Sequence, residues 1–244
     1  MREDLAYAME QAIGLGDVAA LSELLAADPR MTGTPIPVNR DWGQEMWLGL
    51  HLAAEGGQVE LVRLLIQAGA SVDARTRFRT PMHARETALL IAARKGQELV
   101  VELLLKAHAD PGLLDANHRS ALSYVAEAGH TSVLRLLLSY GVEVDPADDH
   151  QRTPLHWAIA GNQPSAAMML IDAGADPNHC CPKDPAGYTP LHRCVSIGNA
   201  MQTIARRLIE KGADRSLADP RHQLTADDLA RQLGLAIDTS PIKK

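Results

Sequence analysis

Apolar and polar positions follow a paired rhythm along this chain: a short apolar run, a polar break, a second apolar run, then a turn of small residues. The clearest copy spans Arg152 to Gly174. Leu155, Ala158 and Ile159 form its first apolar face, Gly161-Asn162 breaks it, and Met169, Leu170 and Ile171 return, before Gly174-Ala175-Asp176 closes the unit. Apolar spacing of three and four residues predicts two short helices. Thr153 is placed to cap the first, and Pro154 falls in its first turn, where a missing N–H costs nothing. A second copy opens at Thr189-Pro190-Leu191-His192 and closes at Gly212-Ala213-Asp214. Weaker copies open at Thr87-Ala88-Leu89 and Ser120-Ala121-Leu122 and close at His108 and Gly141. The starts at 87, 120, 153 and 189 are spaced by 33, 33 and 36 residues. A repeat of that period predicts a stacked array, in which each helix pair buries its faces against its neighbours.

Gly69, Gly141, Gly174 and Gly212 stand where a left-handed residue ends the second helix, and His108 takes that place in one copy, predicting either a strained left-handed histidine or a changed turn there. Upstream, Leu5, Met9 and Ile13 predict a first helix, with Asp17 capping a second that carries Val18, Leu21, Leu24 and Leu25. Another pair runs through Leu50-His51-Leu52-Ala53-Ala54 to Gly69, with Leu48-Gly49 at the Thr-Pro place. Between these regular parts lie inserts. Residues 28–47 carry three prolines with Trp42 and Trp47, either sealing a junction or offering aromatic anchors. Residues 71–86 stretch the spacing between helix starts to 39, and gather Arg75, Arg77, Arg79 and Arg85 around Phe78. The copy opened by Thr189 has two additional residues in its second half, predicting a lengthened helix, and Leu224 to Ala230 reads as a terminal element.

Thr-Pro-Leu-His opening a helix pair and Gly-Ala-Asp closing it, in phase over nearly the whole chain, resembles the ankyrin repeat. That resemblance implies an all-α ankyrin-repeat solenoid of about seven helix-pair repeats with short hairpin-like turns. It forms a single domain over 1–244, with repeats near 3–27, 43–74, 82–114, 115–147, 148–180, 184–217 and 220–240 and inserts at 28–47, 71–86 and 179–186. It implies that His156 and His192 hydrogen-bond neighbouring backbone rather than act as ligands or bases. It further implies binding of a partner protein, of unknown identity, through the hairpin tips and the inward face of the first helices. Carried onto this chain, those places are Glu45, Trp47, Glu55, Phe78, His83, Glu86, Arg94, Lys95, Asn117, Arg119, Glu127, Tyr140, His150, Arg152 and Tyr188.

Composition changes this picture little. Net charge of −6 and aromatic content of 3% describe a mildly acidic chain packed with alanine and leucine, for which nucleic acid is not the expected partner. Cys180, Cys181 and Cys194 form no disulfide framework and suit a reducing compartment. The first residues show no secretory signal, and no apolar stretch is long enough to span a membrane, so a soluble, cytoplasmic monomer is expected; the alanine-rich, loosely consensus repeats point to a bacterial protein. No nucleophile–base set, phosphate loop or metal spacing emerges, so neither catalysis nor a cofactor is expected. His179, Cys180, Cys181, His192 and Cys194 lack the paired spacing of zinc sites. Two alternatives remain from the residues: an enzyme site built from inserts with His83, His150 or Cys181, and an anionic-ligand or nucleic-acid site on the Arg75–Arg85 patch.

Overall fold

A computed structural model describes residues 2–40, 43–78, 85–182, 189–218 and 223–234, and at 2–4, 37–40, 43–46 and 77–78 the backbone. The chain divides into two compact units, Met1–Ala121 and Leu122–Lys244. Each is a stack of antiparallel helix pairs.

In the first unit the pairs are α1 (Arg2–Leu15) with α2 (Val18–Ala27), α3 (Gly49–Glu55) with α4 (Val59–Gln67), and α5 (Ala88–Arg94) with α6 (Glu98–Lys106). First helices stack on first helices and second on second: α1 on α3 on α5, and α2 on α4 on α6. The second unit starts within the first turn of α7 (Ala121–Ala128), which pairs with α8 (Thr131–Ser139). It continues with α9 (Pro154–Ala160) and α10 (Pro164–Asp172), α11 (Pro190–Ile197) and α12 (Gln202–Glu210), and ends in α13 (Ala226–Gln232). Helices of seven to ten residues are marginal in isolation, so their stability comes from the buried faces between pairs. Alanine makes those faces close. Ala53, Ala54, Ala92, Ala93, Ala126 and Ala158 are fully enclosed, together with Leu65, Leu104, Leu134, Leu155 and Leu170.

Local chemistry sets each boundary. The Thr87 and Thr189 hydroxyls accept the N–H groups of Leu90 and His192, and the Asp17 carboxylate accepts that of Ala20. At Thr153 a capping box forms with His156, whose Nδ1 meets both the Thr153 hydroxyl and N–H, at 2.9 and 3.3 Å, and Thr189 Oγ1 meets His192 Nδ1 at 2.8 Å in the same way. Gly174 ends its pair at φ 97°, a conformation cheap only for glycine. His108 adopts φ 64° in the matching turn, the left-handed one of the two outcomes the sequence leaves open. Within each unit the turns are stitched to one another. The Asp110 N–H donates to Asp73 Oδ1, the Asp176 N–H to Asp145 Oδ2, and the Asp214 N–H to Asn178 Oδ1.

The structure corrects the sequence reading in three places. The inserts build an element of their own, a three-stranded antiparallel sheet in the order β1 (Ile36–Arg40), β2 (Gly43–Trp47), β3 (Arg77–Phe78). Ile36 pairs with Trp47 and Arg40 with Gly43, while Glu45 faces Phe78 across the second ladder. Secondly, the additional residues before α12 form a 3-10 turn over Asn199–Met201, not a longer helix, because Gly198 at φ 89° stops α11 first. Thirdly, Val18 is 43% exposed and Leu24 half-buried, so α2 packs through Leu21 and Leu25 and leaves the other two on its outer side.

Candidate partner-binding surface

The hairpin tips between pairs are built by a buried aspartate. Asp148 is 3% exposed, and its Oδ1 accepts the N–H groups of His150 and Arg152, both at 2.9 Å. Its main chain exchanges bonds with the same hairpin, the Asp148 N–H donating to Arg152 O and the Gln151 N–H to Asp148 O, which holds Gln151 at φ 64°. In the first unit Asp115 repeats the device, its Oδ1 accepting from Asn117 and Arg119 at 2.8 Å, with His118 at φ 56°. A third tip uses Thr76 in place of aspartate: its Oγ1 accepts the Glu86 N–H, and Arg85 takes φ 70°.

On the Asp148 tip these bonds assemble an aromatic–cation pair. Asp148 Oδ2 accepts both Arg152 Nε at 3.0 Å and Trp157 Nε1 at 3.2 Å. The guanidinium carbon then lies 4.0 Å from the centre of the Trp157 ring, well inside cation–π range, and Arg152 Nη2 lies 3.5 Å from His150 Nδ1. Arg152 retains 26% side-chain exposure. The tip therefore presents an arginine and a tryptophan already held in one geometry.

Matching places in the first unit are engaged in similar pairs. Arg94 grips Glu86 through Nε–Oε1 at 3.1 Å and Nη2–Oε2 at 3.4 Å, and the Glu86 side chain is 1% exposed. Lys95 meets Glu55 at 3.4 Å. Trp47 is 2% exposed against the edge of His51, and so seals the junction beneath the insert. Of the other expected residues, Asn117 and His150 are exposed on tips, while Arg119 and Glu127 are half-buried. Tyr140 caps α8, a second helix, away from the row of tips and first helices. His83 and Tyr188 lie outside the described residues, as do the side chains of Glu45 and Phe78. Asp115, Asp148 and Trp157 went unnoticed in the sequence, although Asp-x-x-x-Arg followed by Ser or Thr occurs at both 115–120 and 148–153.

The candidate chemical groups are occupied or insulated. His192 donates through Nε2 to Leu224 O, 3.1 Å away, and His51 through Nε2 to Ala74 O, 2.9 Å away, each tying its helix to the chain beyond its own pair. His156 bonds Thr153, and its Nε2 finds no hydrogen-bond partner among the described residues. The implied bond to neighbouring backbone is thus present in both, from the Thr153 N–H to His156 Nδ1 and from His192 Nε2 to Leu224 O, but only the His192 bond reaches the next repeat. Burial pulls the His51 pKa down to about 4, and burial together with nearby His179, Arg193 and Arg152 takes that of His156 to about 3. Enclosure pushes the Cys194 thiol upward, away from the reactive thiolate. Among the described residues no three His, Cys, Asp or Glu side chains are grouped to hold a metal. In the basic insert, Arg75 Nη1 donates to the carbonyls of Arg85 and Leu114, a tie within the fold. No described helix is long and apolar enough to cross a membrane.

Known proteins place this architecture. The family model for ankyrin repeats in three copies matches residues 9–115 and again 89–181, and the single ankyrin repeat matches 186–220. Over 170 residues the chain is 33% identical to the nuclear factor NF-kappa-B p105 subunit of Gallus gallus, covering 68% of this chain and 16% of that protein. A putative E3 ubiquitin-protein ligase XBAT31 of Arabidopsis thaliana is 28% identical over 173 residues, 66% of this chain and 35% of the relative. The chain thus spans about a third or less of these relatives' length. Among solved structures, the ankyrin repeat domain of Bcl-3 superposes with a TM-score of 0.72 at 25% identity, covering 91% of this chain and 92% of that one. The human ASB11 ankyrin repeat domain gives 0.71 at 25% identity, covering 91% and 90%. Likeness to two such domains over nine-tenths of the chain supports a non-enzymatic role. Thr-capped helix pairs, histidines bonded to the next repeat and these matches lead to one assignment: the chain belongs to the ankyrin-repeat family.

Proposed function

We propose that this protein binds another protein through its hairpin tips and first helices, and that in the second unit the contact centres on Arg152 and Trp157. The observation that carries this reading is their arrangement on Asp148. Tryptophan and arginine dominate the energetics of protein interfaces, and side chains fixed before binding lose little freedom on contact. Where the contact covers the partner's own site, binding would inhibit that partner. The three free cysteines suit a reducing, cytoplasmic setting.

The test compares native protein with Arg152→Ala and Trp157→Ala, each first shown by circular dichroism to be folded. A partner captured in stoichiometric amount should be released from both variants and retained by Arg135→Ala, an exposed position on α8. Undiminished capture by both variants refutes the assignment of the site. Trp47 is buried and answers a different question; Arg152, like Arg94, neutralises a buried carboxylate, so its variant is read only where its urea midpoint matches that of the native chain.

A further inference from the structure

At the opposite end of the first unit, α1 and α2 leave an apolar groove open. Inside the unit, α1 and α2 are covered on one side by α3 and α4. Their other side is a groove of about 420 Å3, with Ala8, Ala12, Ala20 and Ala27 along its length and Leu15 and Leu24 as its larger apolar side chains. Leu15, which lines the groove, is 80% exposed. A groove walled by exposed apolar side chains marks an interaction site more often than inert surface.

Charge identifies the occupant. Residues 1–27 contain Glu3, Asp4, Glu10, Asp17 and Glu23 against Arg2, a net −4 out of −6 for the whole chain. Asp17 and Glu23 line the groove, and no lysine or arginine does. Two antiparallel helices floored with alanine admit a third helix at close range, as the pairs within the unit admit one another. We propose that this groove docks a cationic amphipathic helix of a partner protein, its large apolar side chains between Leu15 and Leu24 and its lysines or arginines against Asp17 and Glu23. This site is separate from the Arg152–Trp157 tip and does not depend on it.

The probe is a synthetic helix of about fifteen residues, with leucine at i, i+3, i+4 and i+7 and lysine elsewhere. Its control has glutamate in place of lysine. Fluorescence anisotropy should show the lysine helix binding the native chain and the glutamate helix failing to bind. Leu15→Gln, which removes an exposed apolar wall without changing charge, and Ala20→Arg, which fills the groove, should each weaken binding at least tenfold. Ser132→Arg, an exposed position on α8 with the same charge change as Ala20→Arg, should leave it within twofold. Equal loss in Ala20→Arg and Ser132→Arg, or none in Leu15→Gln, would reduce the effect to general attraction and overturn the proposal. Absence of binding would do the same. Sedimentation of the native chain alone covers the remaining occupant: a dimer dissolved by Leu15→Gln assigns the groove to a second copy and overturns it as well.

Discussion

Gly56 and Gly161 end the first helices α3 and α9 in nearly the same conformation, φ −73°, ψ −7° and φ −75°, ψ 1°. Alanine adopts that backbone without strain, so on chain entropy alone either Gly→Ala substitution should stabilise by about 0.4–1 kcal/mol. Packing separates them. A Cβ on Gly161 would lie 2.1 Å from the carbonyl oxygen of Glu127, 2.9 Å from its carbonyl carbon and 3.1 Å from its Cα, all backbone atoms in the last turn of α7. Relief requires α7 and α9 to part by about 1 Å across a closely packed face, and overpacking of that kind costs about 1–3 kcal/mol. A Cβ on Gly56 would meet atoms of the Gln58 side chain at 3.2–3.3 Å, and that side chain, tied only through Nε2 to Ile13 O, need give by no more than a few tenths of an ångström. Gly161→Ala is therefore expected to lose about 1.3 kcal/mol net, lowering the thermal midpoint by about 3–5 °C for a chain of this size. Gly56→Ala should hold its midpoint or raise it slightly. Urea and thermal unfolding followed by far-UV circular dichroism read both values. A Gly161→Ala midpoint at or above that of the native chain, or an equal fall in Gly56→Ala, would refute the claim that backbone proximity sets the repeat spacing here.

Replacing His108 or Gln151 by glycine should relieve a left-handed side-chain residue and raise stability by about 0.5–1 kcal/mol each, additively because they lie in different units, as judged by urea midpoints. Arg94→Ala should destabilise by about 3 kcal/mol by stranding the buried Glu86 carboxylate, and a double-mutant cycle with Glu86→Gln should recover part of that loss. The buried histidines predict acid sensitivity. His51 and His156 have folded pKa values of about 4 and about 3, below the 6.5 of the unfolded chain, so the unfolded state takes up protons first. Their contribution is complete above about pH 7 and is lost as pH falls from about 6.5 towards 4 and 3, about 2 kcal/mol for each by pH 5. Comparing urea midpoints at pH 7.5 and pH 5 measures it, and His51→Gln should remove about half of the decline whatever its own stability.

The repeat phase is legible in the sequence because its markers act locally. A Thr cap, a Pro in the first turn and a Gly after the second helix each meet a stereochemical need within a few residues. The inserts offered no such marker. Glu45 and Phe78 are partners across a ladder, yet stand far apart in the chain, and pairing at that range leaves no periodic trace in strands of two to five residues. The expected surface was legible as a row of positions rather than as a set of free side chains. Arg94 and Trp47 occupy their assigned places, but a buried carboxylate claims one and the core the other. Asp148 was hidden for the reverse reason: aspartate in a turn looks ordinary until its second oxygen is seen holding Arg152 and Trp157 together.

The small sheet also changes how the first unit would respond to pulling. A stack joined by neighbour contacts peels from an end one helix pair at a time, each releasing its own length of chain. Here β2 leads into α3 and β3 precedes α5, and their ladder closes the intervening chain into a loop. Tension applied outside that loop loads the hydrogen bonds between β2 and β3 before it reaches α3 or α4. The pair within the loop is shielded until the ladder opens, and then yields in one larger step. The inserts thus act as a clasp that turns part of a graded array into a single mechanical unit.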